Sequence, residues 1–318
     1  MKSDGFELLF DADGLLSSKG LRRPGGFSWV HFRGPVLDQV QDRLDALQFP
    51  LPHAWNHEIT HPNHVVLDDY GSFFHIIAYH MTFGRLESND IPSLKFAAIH
   101  FVVHHGGVLS WCRESLPFIE TLRRKMMDYP HWVTDRAGLL YAILDGLFHS
   151  LFPLLDELND YIVQLEQHAL TTTQRKSLEI RVMGLKHVVL VIRGVLASSR
   201  DMAHSLAHRF PQQPTPFYLE LYDQVLRLAE IIDGYREMLD TVMDLHLSAV
   251  SNRLNEIVKT LTLVTTMMLP ASLVGALYGM NFDHAPGIHW SYGFYCVLGF
   301  VALISAGLLV WFKRQAWL

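Results

Sequence analysis

Residues Thr260–Phe282 read TLTLVTTMMLPASLVGALYGMNF and contain no Asp, Glu, Lys or Arg. A second charge-free stretch runs from Trp290 to Phe312, and each stretch has 23 residues. An α-helix needs about 20 apolar residues to cross a hydrocarbon core of about 30 Å. The sequence therefore predicts two carboxyl-terminal membrane spans, over about residues 260–280 and 291–312, behind a large water-soluble region.

Basic residues flank the two predicted spans on one side only. Arg253 and Lys259 precede the first span, Lys313 and Arg314 follow the second, and the connecting segment 283–289 has neither Lys nor Arg. Because short loops rich in Lys and Arg stay in the cytoplasm, we expect cytoplasmic amino and carboxyl termini and an external loop. The first residues do not resemble a signal peptide, so we expect an inner-membrane protein with a cytosolic amino-terminal region.

The composition narrows the function classes. The chain has 318 residues and a net charge of -6. Its two cysteines, Cys112 and Cys296, fall in the soluble region and in a span, which argues against a disulfide framework. Neither a nucleotide-phosphate loop nor a nucleophile elbow is present. We therefore expect no enzyme activity, no ATP-driven step and no nucleic-acid partner.

Residues 1–133 are predicted to form a mixed α/β domain. Segments rich in β-branched and aromatic residues predict strands, and segments with helical spacing of apolar residues predict helices. The predicted strands are 27–32, 73–81, 94–103 and 108–112, and the predicted helices are 37–47 and 116–127.

Residues 134–259 are predicted to form a helical stalk. Two long antiparallel helices are expected over about residues 135–208, separated near Thr171, and three prolines predict a hinge near residues 209–216. One helix of 62 residues is expected from Phe217 to Tyr278, and it continues through the first span. Because an isolated helix of this length is marginal in water, it must pack against neighbours or copies. The transmembrane domain is then residues 260–318.

Polar and small residues recur along the long helix at steps of mostly three, four or seven, which places them on one face. A polar face within a span should turn toward protein or water, so several copies could enclose a pore. The alternative is that the hydroxyls bond to carbonyls of their own helix, or that small residues fill helix contacts. This polar stripe comprises Asp244, Ser248, Ser251, Asn255, Thr262, Thr265, Ser272 and Ala276.

Two groups of ionisable residues in the soluble region could bind metal. His53, His57 and His61 recur at every fourth residue, and imidazoles at this helical spacing can bind zinc. They form either a cytosolic metal sensor or an exposed helix face. The other group is acidic and forms either magnesium sites between copies or, for most members, a solvated face; it comprises Glu220, Asp223, Glu230, Asp233, Glu237, Asp240 and Asp244.

The segment Tyr278–Phe282, at the end of the first predicted span, resembles the signature of the CorA family of divalent-cation transporters. Its context agrees: Leu261–Gly275 precedes it, an outer loop with Pro286 and Trp290 follows, and the chain ends soon after the second span. The close match covers about the last 65 residues. The resemblance implies a homopentamer with an α/β/α cytosolic domain, a pore lined by the long helix, and an outer ring of second spans in membrane lipid.

The resemblance also implies roles for individual residues. Asn281 is the asparagine of the selectivity loop, and Gly279 and Met280 shape the mouth. Asp283 and His284 would attract ions to the outer mouth. The implied pore-lining residues are Asp244, Asn255, Thr262, Leu269 and Ser272.

The expected cargo is a hydrated divalent cation, and we expect no other cofactor. A ring of amide oxygens can bind Mg²⁺ through the water molecules that this ion holds tightly. Family members that carry magnesium usually have a second acid in the loop, where this chain has Gly287, and the run Trp290–Phe294 resembles the zinc-transporting ZntB branch. Imidazoles suit zinc, cobalt and nickel, so a ring of His284 could gather such ions; the alternative is that the loop histidines are ordinary interfacial residues. We expect Mg²⁺ first, with Co²⁺ or Ni²⁺ tolerated; a zinc transporter and a non-conducting membrane-tethered scaffold are the alternatives.

Overall fold

A computed structural model describes the chain over residues 4–11, 14–17, 26–34, 65–86, 91–172, 175–209, 216–280 and 290–315. The chain divides into two compact units, Met1–Met243 and Asp244–Leu318. The boundaries that composition suggests, near residues 133 and 259, remain predictions.

A mixed sheet organises the first unit. Within the described residues it has seven strands in the order β2-β1-β3-β7-β6-β5-β4. Neighbouring strands are antiparallel except for the central pair β3 and β7, which is parallel. The strands are β1 (Asp4–Asp11), β2 (Gly14–Ser17), β3 (Phe27–Arg33), β4 (Val66–Asp69), β5 (Phe73–Leu86), β6 (Pro92–His104) and β7 (Gly107–Cys112).

The four predicted strands are confirmed as β3, β5, β6 and β7. The sequence analysis did not identify β1, β2 and β4. The strands β2 and β4 have four residues each, and β4 carries Asp68 and Asp69 at the sheet edge. Segments of four residues are too short to show an alternating apolar pattern, and the eight residues of β1 contain Phe6, Leu8, Leu9 and Phe10 without strict alternation.

Six helices follow the sheet within the described residues: α1 (Pro117–Asp128), α2 (Arg136–His149), α3 (Phe152–Thr171), α4 (Arg175–Arg209), α5 (Pro216–Gly279) and α6 (Gly293–Arg314). The predicted helix 116–127 is confirmed as α1, and the long helix is confirmed as α5, which continues through Pro270. The predicted helix 37–47 and residues 210–215 of the predicted hinge lie outside the described residues.

The prediction of two long helices over residues 135–208 was wrong, because the first of them is divided. The chain leaves α2 at Ser150 and enters α3 at Phe152, with Pro153 in the first turn of α3. Proline fits the first turn of a helix, where its missing N–H would have no partner, but it cannot continue a helix that began earlier.

The core of the first unit joins the sheet to α1–α4 and the first part of α5. Trp29, Ile76 and Phe101 in the sheet and Leu140 in α2 are fully buried within it. Asp135 is the N-cap residue of α2, and its carboxylate accepts a hydrogen bond from the Gly138 N–H at 2.6 Å. This bond satisfies one of the backbone donors that a helix start leaves without a partner.

Helix α4 runs antiparallel to the first part of α5. Arg193 Nε lies 2.7 Å from Asp233 Oδ1, and Lys186 Nζ lies 2.5 Å from Asp240 Oδ1. As the position on α4 falls by seven, the partner on α5 rises by seven. Because both ion pairs are exposed to solvent, which weakens them, they fix the register of the two helices more than they stabilise the packing.

Among the described residues, three stretches are long and apolar enough, by length and composition alone, to cross a membrane: Arg136–Thr171, Phe217–Gly279 and Gly293–Arg314. The buried share of the most apolar part of each distinguishes them. It is 56% for the first stretch, which spans α2 and α3, but 0% in α5 and 6% in α6. The apolar side chains of α2 and α3 therefore already form protein core, whereas those of α5 and α6 lack cover within one chain.

Gly107 provides a test of the central parallel strand pair. Its φ is +140°, and a Cβ atom there would lie 2.0 Å from the backbone oxygen of Ser28. We expect Gly107→Ala to lower the free energy of unfolding by more than about 2 kcal/mol, because β3 and β7 would have to separate. Gly234 lies inside α5 with open space around it, so Gly234→Ala should raise stability by about 0.5–1 kcal/mol. Denaturant unfolding of the detergent-purified chain measures both, and equal effects would contradict this account.

A buried histidine pair predicts acid sensitivity of the same unit. His75 Nε2 lies 3.3 Å from His100 Nδ1, and both side chains are buried in the sheet. Burial lowers the pKa of both imidazoles, that of His100 to about 3, although Asp68 partly offsets this for His75. Because the unfolded chain then binds more protons, stability is fully present above pH 6.5 and falls as the pH drops toward 3.

The measurement is the slope of unfolding free energy against pH between about pH 7 and 5. His100→Gln should reduce this slope. His131→Gln, which removes an imidazole from an exposed position, is the matched control and should leave it unchanged. If both variants retained the slope of the parent chain, the buried pair would not be its cause.

Candidate functional site

Helix α5 carries every predicted pore-lining residue. Asp244, Asn255, Thr262, Leu269 and Ser272 all lie on it, and each is exposed in the single chain. Gly279 is its last residue, and Met280 follows in an exposed position. The predicted loop residues Asn281, Asp283 and His284, and the predicted metal ligands His53, His57 and His61, lie outside the described residues.

Within the second unit, α5 has one partly covered face. The partly covered side chains recur at steps of three and four along the span, and they include Leu263, Met267, Pro270, Val274 and Tyr278. In α6 the more covered positions show the same spacing: Gly293, Val297, Val301, Ile304, Leu308 and Phe312.

The polar stripe lies on a different face of α5. At 100° per residue its members are centred roughly 130° around the helix from the partly covered face. All eight stripe residues, from Asp244 to Ala276, are exposed. The single chain therefore leaves this polar face without cover along the whole span.

The threonines of the stripe bond back to their own helix. Thr262 Oγ1 donates to the carbonyl oxygen of Val258 and Thr265 Oγ1 donates to that of Leu261, each at 2.8 Å. The alternative of back-bonding is thus confirmed for these two hydroxyls. It does not remove them from a pore lining, because a hydroxyl has one donor and two acceptor lone pairs. With its donor engaged, each oxygen presents only acceptors to its surroundings.

Intrachain partners account for part of the acidic face of α5. Asp233 and Asp240 pair with Arg193 and Lys186 of α4, and the hydrogen bond from Lys186 lowers the pKa of Asp240. Glu220 Oε2 accepts a hydrogen bond of 3.1 Å from the hydroxyl of Tyr141. In the part of the chain that the structure describes, no three His, Cys, Asp or Glu residues gather closely enough to hold a metal ion.

A second feature of α5 was not anticipated from the sequence. An open depression of about 510 Å³ lies along the helix where the span begins. Apolar and charged side chains line it together: Arg253, Glu256, Ile257, Thr260, Leu261 and Val264. The exposed Leu254, Ile257, Leu261 and Val264, at steps of three and four, are the signal that could have revealed an apolar face.

The arrangement of sheet, long helix and carboxyl-terminal helices matches a known family. Residues 24–314 match the family model described as CorA-like Mg²⁺ transporter protein. The chain belongs to the CorA family. The resemblance inferred from Tyr278–Phe282 is thereby confirmed, and it extends well beyond the last 65 residues of the chain.

Similarity to individual CorA-family relatives covers most of the chain. The chain is 30% identical over 294 residues to YfjQ of Bacillus subtilis, covering 91% of this chain and 89% of that protein. It is 28% identical over 250 residues to the cobalt/magnesium transport protein CorA of Thermotoga maritima, covering 76% of this chain and 68% of that protein.

Among solved structures, the complete CorA magnesium transporter of Methanocaldococcus jannaschii superposes with a TM-score of 0.71 at 22% identity, covering 98% of both chains. This likeness confirms the fold: a soluble domain with a mixed sheet, a long helix and carboxyl-terminal helices. As a CorA-like divalent-cation transporter, the chain belongs to a family of transporters rather than enzymes.

Proposed function

We propose that five copies of this chain assemble around a common axis and pass hydrated Mg²⁺ through a pore lined by the polar stripe of α5. The observation that carries this proposal is the exposed polar face inside an otherwise apolar helix. A polar face in lipid is costly, and α6 leaves it uncovered in the single chain. Copies that turn this face toward a shared water-filled axis remove that cost.

Two helices cross the inner membrane in this proposal, namely the carboxyl-terminal part of α5 and the whole of α6. Lys259 before the first span and Lys313 and Arg314 after the second favour cytoplasmic termini. The apolar stretch over α2 and α3 stays outside the membrane, since its side chains are committed to the core of the first unit.

The apolar residues at the cytosolic start of the span support assembly of several copies. Leu254, Ile257 and Leu261 are more than half exposed in the single chain and flank the depression at the start of the span. Side chains of a neighbouring copy would fill that depression and withdraw these residues from water, at about 25 cal/mol for each Å² of apolar surface. The number five comes from the family resemblance.

The lining chemistry suits a cation that keeps its water shell. Water molecules around Mg²⁺ point their hydrogens outward, and Mg²⁺ gives up these waters reluctantly. Thr262, whose hydroxyl hydrogen is engaged by Val258, offers such an ion acceptors, as do the amide oxygen of Asn255 and the carboxylate of Asp244. Leu269 would form an apolar constriction between polar rings, a device that gates by excluding water.

The outer mouth is assigned to the loop after α5. A ring of Asn281 amide oxygens would bind the hydrated ion without the excessive affinity of a charged ring. Gly279 and Met280 would shape this mouth, and Asp283 and His284 would attract cations to it. The membrane potential then favours entry by about 4.6 kcal/mol per divalent ion at 100 mV, so the ion is cargo and no ATP is required.

Magnesium is the proposed ion, with Co²⁺ tolerated, in agreement with the name of the Thermotoga maritima relative. Zinc is the second candidate, because Gly287 stands where magnesium carriers usually have an acid and His284 suits softer ions. His53, His57 and His61 remain a hypothesis for a cytosolic sensor. A non-conducting scaffold does not explain why polar residues recur on one face of a membrane-spanning helix.

Replacing Asn281 tests the proposed selectivity loop. We expect Asn281→Ala to abolish Mg²⁺ uptake into proteoliposomes while the assembly still elutes at the size of the parent protein, because only the amide ring is lost. Uptake of Mg²⁺ and Zn²⁺ is measured side by side, with and without a pH gradient, which also decides the ion. Normal Mg²⁺ uptake by the variant would refute the assigned role of Asn281.

Thr260 and Thr262, two residues apart and on different faces of α5, provide a matched test of the stripe. Thr260 bonds back to Glu256 at 2.9 Å, as Thr262 does to Val258, but it lies off the stripe. Thr262→Val removes acceptors from the proposed pore and should slow Mg²⁺ flux roughly 2- to 10-fold. Thr260→Val removes a similar hydroxyl but keeps the volume of a residue that lines the depression, so it should leave both assembly and flux unchanged. A larger loss in the Thr260 variant would place the pore on another face of α5.

A further inference from the structure

We propose that His204 and His208 of α4 form a binding site for one divalent transition-metal ion, such as Zn²⁺, Ni²⁺ or Co²⁺. The two histidines are one helical turn apart, and both are exposed near the carboxyl end of α4. This site is separate from the proposed ion pathway, and it does not depend on whether the chain conducts.

The separation of the two rings fits ligation of a single ion. Their centroids are 4.5 Å apart, with an angle of 88° between the ring planes. A metal ion bound at about 2.0–2.1 Å from an imidazole nitrogen lies about 3.2 Å from that ring's centroid. Two such ligands at angles of about 90–109° to the ion would have centroids about 4.5–5.2 Å apart. The observed separation lies at the lower end of this range, so the two rings are close enough to share one ion.

The ligand type selects the class of ion. Imidazole nitrogen binds zinc, nickel and cobalt well, whereas Mg²⁺ prefers carboxylate, carbonyl and water oxygens. No third His, Cys, Asp or Glu joins the pair within the residues that the structure describes. Asp201, one turn earlier on α4, directs its carboxylate to Arg200 at 3.0 Å. Water molecules would complete the coordination, so we expect weaker binding than at a structural zinc site with four protein ligands.

The local electrostatics favour a cation at this position. His208 lies in the last turn of α4, which ends at Arg209. The carboxyl end of a helix carries a partial negative charge that stabilises positive ions. The guanidinium of Arg209 is engaged by the carboxylate of Asp69 and lies over the ring of Phe74, so its charge is partly neutralised beside the site.

The position of the site connects it to the helix that carries the polar stripe. The ring of His204 contacts that of Tyr222 on α5, with 5.9 Å between centroids, and Tyr222 packs on the core of the first unit. This contact falls in the same antiparallel register as the Arg193–Asp233 and Lys186–Asp240 ion pairs. An ion held by His204 would thus fix the ring that contacts the first turns of α5.

The test uses the full chain purified in detergent and freed of metal with a chelator. Calorimetric titrations with Zn²⁺, Ni²⁺, Co²⁺ and Mg²⁺ are compared between the parent chain and the double variant His204→Gln/His208→Gln. The matched control, His131→Gln/His187→Gln, removes two exposed imidazoles that are far apart in sequence. Thermal unfolding of each metal-free variant checks that the fold is intact.

We expect the double variant to lose one equivalent of Zn²⁺ or Ni²⁺ per chain while its Mg²⁺ titration is unchanged. Either single variant should weaken the binding of that equivalent roughly tenfold or more. The absorption of bound Co²⁺ should show nitrogen ligation in the parent and control chains and lose that component in the double variant. An unchanged Zn²⁺ equivalent in the double variant, or an equal loss in the control, would overturn the proposal.

Discussion

The absence of water inside a bilayer is the constraint on which the rest of this structure depends. Every polar group of α5 within the span must find a partner in its own helix, in another protein segment or in enclosed water. The continuous helix satisfies nearly all backbone groups, apart from the carbonyl that Pro270 leaves without a helical donor. The polar groups that still need a partner are the side chains of the polar stripe, and α6 does not cover them. In the proposed assembly, turning these side chains toward a common water-filled axis provides the partner that the single chain lacks.

Back-bonding and pore lining are often treated as competing explanations for threonine in a membrane helix, yet they are compatible in α5. Donation from Thr262 and Thr265 to carbonyls one turn earlier lowers the cost of placing hydroxyls among apolar residues. The same donation fixes which part of each hydroxyl faces outward, namely the acceptor lone pairs. A lining that offers only acceptors attracts the hydrogens of water around a cation and disfavours the shell of an anion.

The sequence predicted well those elements whose pattern is set by their own residues. The strands β3, β5, β6 and β7 are apolar runs bounded by turns, and α5 has few helix breakers over its whole length. The sequence gives weaker signals for elements that depend on their neighbours. These elements are the strands β1, β2 and β4 and the division between α2 and α3. The pairing of Asp233 and Asp240 with α4 could not be predicted, because it needs the register between two helices. The spacing of four residues between His204 and His208 is visible in the sequence. The same spacing occurs twice in the series His53, His57 and His61, which is therefore the stronger sequence signal.

The ion pairs between α4 and α5 also limit what the acidic face of α5 can do. A carboxylate that already binds an Arg or Lys of its own chain is a poor ligand for Mg²⁺ from solution, because binding would first have to break that pair. Asp233 and Asp240 are in this position, whereas Asp223, Glu230 and Glu237 are exposed on the same helix. These three acids are therefore more available than Asp233 and Asp240 to any cation that would link neighbouring copies through this face.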